Sequence, residues 1–165
     1  MREHMDSQKE TDDAHDHSRI LVVDDDASVR QMLTRLLSGE GYSVWAAANG
    51  TAAIEIATAA DIELVLLDLK MPGKSGWETF QRLMAKMPSI AVIVITAQPN
   101  QLFTALGSGV GALLEKPLDF PLLLRTVNDL LTESPESKRA RSAGKSADFH
   151  YIHGRKNDSP SKKND

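Results

Sequence analysis

Five short apolar runs, separated by stretches of helical period, constrain this chain most. They are Ile20-Leu21-Val22-Val23, Ser43-Val44-Trp45-Ala46-Ala47, Leu64-Val65-Leu66-Leu67, Ala91-Val92-Ile93-Val94-Ile95 and Ala112-Leu113-Leu114-Glu115. Continuous runs rich in β-branched residues and Leu are the mark of strands buried on both faces, and their alternation with helices demands a parallel sheet. The runs predict strands over 20–24, 43–47, 64–68, 91–96 and 112–115. Between them, periodicity predicts helices over 28–38, 49–59, 76–87, 100–108 and 119–132. Gly39 and Gly41 should stop the first helix, while Asn49 and Asp119 should cap the second and the last, with Pro121 in the last helix's first turn. Right-handed crossovers place helices on both faces. The expected architecture is α/β, a doubly wound five-stranded parallel sheet of order 2-1-3-4-5, flavodoxin-like.

Four of those runs end on residues that carry chemistry. Asp24 and Asp25 follow the first, Asp68 the third, Thr96 ends the fourth, and Lys116 with Pro117 follows the fifth. In open α/β sheets ligands bind outside the carboxyl ends of the strands, at the switch point, which here lies between strands 1 and 3. One pocket should therefore gather three carboxylates, a hydroxyl and an ammonium. Adjacent carboxylates repel unless a cation lies between them. Hard oxygen ligands suit Mg²⁺, and Mg²⁺ with a lysine and a hydroxyl suits a phosphoryl group. Asp26 is expected to cap the first helix rather than bind metal.

Val22-Val23-Asp24-Asp25-Asp26, Asp68-Leu69-Lys70-Met71-Pro72-Gly73, Thr96-Ala97 and Glu115-Lys116-Pro117 together resemble a two-component response-regulator receiver domain of the chemotaxis-regulator type. The resemblance spans about 19–133. It implies that Asp68 is the phosphoacceptor, that Asp25 and Asp68 bind Mg²⁺ directly, that Asp24 acts through water, and that the Lys70 backbone carbonyl completes the protein ligands. It further implies that Thr96 donates to the phosphoryl group, that Lys116 pairs first with the carboxylate and then with phosphoryl oxygen, and that the Lys116–Pro117 bond is cis.

The function implied is a single-domain response regulator. It would take a phosphoryl group from a sensor histidine kinase and signal through a phosphorylation-dependent contact with a downstream protein. It would not be an enzyme on a separate substrate, because transfer and hydrolysis concern its own aspartate. Two alternatives stay open: a phosphorelay shuttle to a histidine phosphotransfer protein, and a receiver-fold scaffold that is never phosphorylated. A phosphorylation-linked homodimer also stays open.

Two departures from the family pattern are visible. Leu113 occupies the place, three residues before the lysine, where receivers usually carry Tyr or Phe. The interval from Thr96 to Lys116 is short and holds Pro99, Gly107, Gly109 and Gly111, which predicts a short, weak fourth helix. Those glycines neither follow a strand nor open a helix, so they make no dinucleotide fingerprint. Lys70 and Gln98 stand two residues past a site residue each; the resemblance implies that their side chains border the path of attacking water, and Lys70 is expected to pair with the phosphoryl group and slow hydrolysis. Trp77 should sit partly exposed near the site, and Trp45 buried or half-buried.

The remaining numbers exclude other classes. The chain has 165 residues and no cysteine, which rules out disulfides and thiolate zinc sites. No apolar stretch approaches the ~20 residues of a membrane helix, and 1–18 lacks the apolar core of a secretory signal, so a cytoplasmic location without membrane partner is expected. Residues 1–18 carry two basic and six acidic groups, and 134–165 carry eight basic and four acidic. Both are expected to be disordered tails, acidic and basic in turn, flanking a receiver domain over 19–133. His4, His15 and His17 are expected to be solvated rather than ligating. The basic tail is expected to be solvated too, so nucleic acid is not an expected partner. The segment 134–165 is too short for a DNA-reading or catalytic output domain.

Overall fold

A computed structural model describes residues 18–71, 75–98, 101–105, 108–144 and 149–154. The acidic segment 1–17, with its three histidines, lies outside the described residues. Six strands form one parallel sheet in the order β2-β1-β3-β4-β5-β6. They are β1 (Arg19–Val23), β2 (Ser43–Ala47), β3 (Leu64–Asp68), β4 (Ala91–Thr96), β5 (Ala112–Glu115) and β6 (His150–Ile152). The helices are α1 (Ala27–Gly39), α2 (Gly50–Ala59), α3 (Gly76–Lys86), α4 (Leu102–Ala105), α5 (Phe120–Leu131) and α6 (Pro135–Ser142). The first five strands follow the expected order.

The apolar runs explain the layering. Every residue of β3 and β4 is buried. Leu21, Val23, Val65 and Leu67 face one cluster, closed by Ala53 and Ala57 of α2 and Phe80 and Leu83 of α3. Their neighbours Ile20, Val22, Leu64 and Leu66 face the other, closed by Leu33 and Leu37 of α1 and Leu123 and Val127 of α5. Period-2 alternation delivers apolar side chains to both faces, so no strand of this central sheet has a polar side.

Local chemistry sets the helix ends. Asp26 Oδ1 accepts from Ser28 N–H at 2.8 Å and Val29 N–H at 3.4 Å, Asn49 Oδ1 from Ala52 N–H at 2.9 Å, and Asp119 Oδ1 from Leu122 N–H at 3.3 Å. Each meets an amide that lacks an intrahelical acceptor. Gly39 ends α1 and the chain turns at Gly41 with φ +93°. Among the described residues the fourth helix shows the four residues of α4. Trp45 and Trp77 are both half-buried against the core, and Trp77 meets Phe80 edge-on, with ring centroids 5.9 Å apart.

The expectation of a disordered tail from 134 does not hold for the described part. Ser134 Oγ caps α6 at Ser137 N–H, with Pro135 in its first turn. Arg141 on α6 is 3% exposed. Its Nε meets the Glu133 carboxylate at 3.2 Å and its Nη1 the Ile90 carbonyl at 3.3 Å. β6 then adds to the edge of β5 in parallel register, Leu113 opposite Tyr151. Low apolar content suggested no core contribution, but a paired arginine can be buried, and an open strand edge supplies backbone partners to almost any sequence. Among the described residues no helix is long and apolar enough to cross a membrane.

Candidate functional site

Parallel pairing brings the ends of β1, β3, β4 and β5 to one rim of the sheet. Val23 pairs with Leu67, Asp68 with Ile95, and Thr96 with Glu115. The residue after each of β1 and β5, and the last of β3 and β4, are thus neighbours in space although 72 positions separate Asp24 from Thr96 in the chain. Close approach of α3 tightens this rim. A Cβ on Gly76 would lie 2.5 Å from Leu69 Cα and 2.9 Å from the Asp68 carbonyl oxygen, so only glycine lets α3 begin so near the β3 terminus.

Carboxylate oxygens of Asp24, Asp25 and Asp68 lie within 4.8 Å of one another. Asp24 and Asp68 are buried and Asp25 is exposed. Asp68 is held at both oxygens: Lys70 N–H donates to Oδ1 at 2.9 Å and Lys116 Nζ to Oδ2 at 3.0 Å. Lys116 Nζ also stands 4.0 Å from Asp24 Oδ2. The Lys116–Pro117 bond is cis, as the resemblance implies.

One ammonium faces two buried carboxylates, so negative charge is in excess. Burial foremost, reinforced by Asp68, pushes Asp24 from 3.8 up to about 6, against the Asp26 N–H and Lys116, which favour its ionised form. The Asp26 N–H bond to Asp24 Oδ1 is 2.9 Å, and Arg30 Nη1 pins the Asp24 carbonyl at 2.7 Å. Three hard oxygen donors around an excess of negative charge are the donor set a small divalent cation satisfies, and the residues present fit Mg²⁺.

Thr96 is 2% exposed. Its hydroxyl is engaged locally, accepting from Gln98 N–H at 2.9 Å and standing 3.5 Å from the Gln98 carbonyl. Gln98 continues outward: its Oε1 accepts from Gln101 Nε2 at 3.4 Å, and Gln101 Oε1 accepts from the Trp77 indole N–H at 2.8 Å. The Lys70 side chain is exposed.

The structure therefore assembles Asp24, Asp25, Asp68 and Lys116 in direct contact or near it, with Thr96 on the adjoining strand end. Sequence reasoning missed the neighbours that come from β6. Tyr151 O–H donates to Glu115 Oε1 in a short hydrogen bond, and His153 Nδ1 lies 3.6 Å from Glu115 Oε2. The Glu115 bond holds the Tyr151 phenol above its ordinary pKa. Phe149, Tyr151 and Ile152 were the only apolar residues after Ser134 besides alanines, and Ser134-Pro135-Glu136 is a helix-start pattern. Both signals were present in the sequence.

Comparison with known proteins gives a consistent result. A family model described as the response regulator receiver domain matches residues 20–128. Transcriptional regulatory protein ZraR of Klebsiella oxytoca is 37% identical over 135 residues, 81% of this chain and 30% of that protein. Sporulation initiation phosphotransferase F of Bacillus subtilis is 37% identical over 105 residues, 62% of this chain and 85% of that protein. Response regulator protein TrrA of Thermotoga maritima, crystallised with Mg(2+)-BeF, superposes with a TM-score of 0.64 at 32% identity, covering 68% of this chain and 98% of that one. The chain spans about 30% of the length of the first curated relatives it matches.

Proposed function

The chain belongs to the response regulator receiver domain family, and from that premise we propose that Asp68 accepts a phosphoryl group from the phosphohistidine of a sensor histidine kinase in the cytoplasm. Receiver domains serve phosphorylation-based signalling and take phosphoryl groups from histidine kinases or phosphotransferases. The observation that carries the reading is the pairing of Lys116 Nζ with Asp68 Oδ2 at 3.0 Å beside two further carboxylates.

Asp24, Asp25, Asp68 and the Lys70 carbonyl would hold Mg²⁺. When bound it would neutralise charge on the incoming phosphoryl oxygens. The chain's own groups do the rest. A carboxylate oxygen of Asp68 forms a bond to phosphorus as the P–N bond of phosphohistidine breaks, and the electron pair stays on the imidazole nitrogen. Lys116 moves its pairing from the carboxylate to a phosphoryl oxygen. Thr96 exchanges its contacts with Gln98 for a donated hydrogen bond to another. Each step is positioning and charge neutralisation, which is most of what phosphoryl transfer requires. Water attack on phosphorus later restores the carboxylate and releases phosphate. The chain thereby acts only on its own side chain and is not an enzyme on a separate substrate.

The phosphorylated form signals by docking to a downstream protein. A relay role, passing the group to a second histidine, is the alternative favoured by the likeness to a protein called a phosphotransferase that the chain matches over 85% of its length. Incubation with acetyl phosphate and Mg²⁺, followed by intact mass, tests the core of the reading. The parent chain gains one phosphoryl group and Asp68→Asn gains none. Equal labelling of both would refute Asp68 as acceptor. Rapid return of the group to a histidine phosphotransfer protein would select the relay.

A further inference from the structure

The family match ends at residue 128, and the segment Phe149–Gly154 lies beyond it. We propose that this segment is a positioning element for Lys116, and through Lys116 for phosphoryl transfer to Asp68. The proposal rests on the function argued above and adds residues to it.

Three contacts converge on Glu115-Lys116-Pro117. β6 runs parallel to β5, with Ala112 opposite His150 and Leu114 opposite Ile152. This register carries Tyr151 and His153 to the end of β5, where both meet the Glu115 carboxylate and their rings meet edge-on with centroids 4.3 Å apart. Gly154 then lies on the next peptide. A Cβ there would be 2.5 Å from the Lys116 carbonyl oxygen and 2.8 Å from its carbon. Those are backbone atoms, so no side-chain adjustment relieves the clash, and the close approach depends on glycine.

The Lys116 main chain is thereby held from two sides. Its N–H donates to the Thr96 carbonyl at 2.8 Å, and its C=O is backed by Gly154. A lysine side chain has four rotatable bonds, so a fixed main chain keeps backbone motion from adding to the freedom by which Nζ drifts from Asp68. Among the described contacts, Tyr151 and Gly154 meet Glu115 and the Lys116 main chain rather than Asp24, Asp25 or Asp68. They are positioning residues.

Two measurements on the full chain test this. In the first, phosphoryl uptake from acetyl phosphate with saturating Mg²⁺ is followed by intact mass. Gly154→Val is expected to lower the maximal rate about tenfold, and Tyr151→Phe about threefold, with half-saturating acetyl phosphate unchanged. Tyr151→Phe keeps the ring and guards against a Gly154 variant that fails to fold. In a Lys116→Ala background neither substitution should slow uptake further, because the route through Lys116 is already lost. The second measurement is amide hydrogen exchange, in which the Lys116 N–H should exchange about tenfold faster in both variants while Leu66 and Leu67 of β3 stay protected. Parent-like uptake in both variants would overturn the proposal even if exchange rises, as would an undiminished slowing on top of Lys116→Ala. Should the parent accept no phosphoryl group, the function above fails, and the Lys116 exchange rate alone decides the positioning.

Discussion

Two buried charge clusters in this protein are solved in opposite ways. At the carboxyl rim of the sheet, one partly exposed lysine faces Asp24 and Asp68, and Asp25 stands beside them. On α6, Arg141 meets one carboxylate, Glu133, and its Nη1 adds carbonyls of Ile90 and Gly109. The α6 pair is balanced within the chain. The rim carries surplus negative charge, and burial foremost, reinforced by Asp68, lifts Asp24 to about 6. A balanced pair holds a segment down, while an unbalanced one stores an electrostatic cost that a cation relieves.

The largest test breaks the balanced pair. Arg141→Ala leaves the largely covered Glu133 carboxylate without its cation and is expected to cost about 3 kcal/mol of stability, read by urea unfolding. An unchanged midpoint would mean that the pair is not desolvated and that the contrast with the rim is false.

Lys116→Ala probes the other side. It removes the ammonium that pairs with Asp68 Oδ2, and phosphoryl uptake by Asp68 should fall about 100-fold, or roughly 2.7 kcal/mol of barrier. Acetyl phosphate labelling with and without saturating Mg²⁺ checks it. Retained uptake would show that neutralisation comes from elsewhere.

Burial of Asp24 beside Asp68 predicts a pH signature. Asp24 is raised from 3.8 to about 6 in the folded chain. Below about 4 it is protonated folded or unfolded and contributes nothing. Between about 4 and about 6 the unfolded chain loses its proton while the folded chain keeps it, so stability falls as pH rises, and above about 6 the loss is complete. In Mg²⁺-free buffer Asp24→Asn should therefore gain on the parent across this window, by on the order of 1–2 kcal/mol at pH 7 once solvent screening is allowed for. Excess Mg²⁺ should shrink that advantage. If the difference between variant and parent is flat in pH, the rim is not charge-frustrated.

The smallest effect concerns Lys70. Its side chain is solvent-exposed two residues past Asp68, and Lys70→Ala is expected to shorten the phosphoryl lifetime about threefold, or under 1 kcal/mol of barrier. Phosphate release after removal of acetyl phosphate measures it. An unaltered lifetime would make Lys70 a bystander.

The central fold was legible because burial on both faces forces near-continuous apolar runs, and all five runs became strands. β1 began one residue early, at Arg19, since its pairing with Ser43 extends the ladder. The site residues were legible by type, each at a strand end. Their consequences were not. Nothing local to Asp24 announces a raised pKa, which arises from burial and from Asp68, 44 positions away. The ordered segments after Ser134 escaped because composition reads foldability from apolar content, whereas α6 is anchored through Arg141 and β6 through backbone pairing on an edge.

Leu113 shows the same division. The sequence has a leucine where the resemblance leads one to expect an aromatic, and only the fold reveals Tyr151 opposite it on β6. Local order along the chain thus determined the strands, their caps and the identity of the chemical groups, because propensity, period and capping act over a few residues. The meeting of Asp24, Asp68 and Lys116, and the backing of Lys116 by Gly154, were decided by tertiary structure alone. Parallel strands bring together residues that the sequence keeps far apart, and charge coupling depends on distance in space.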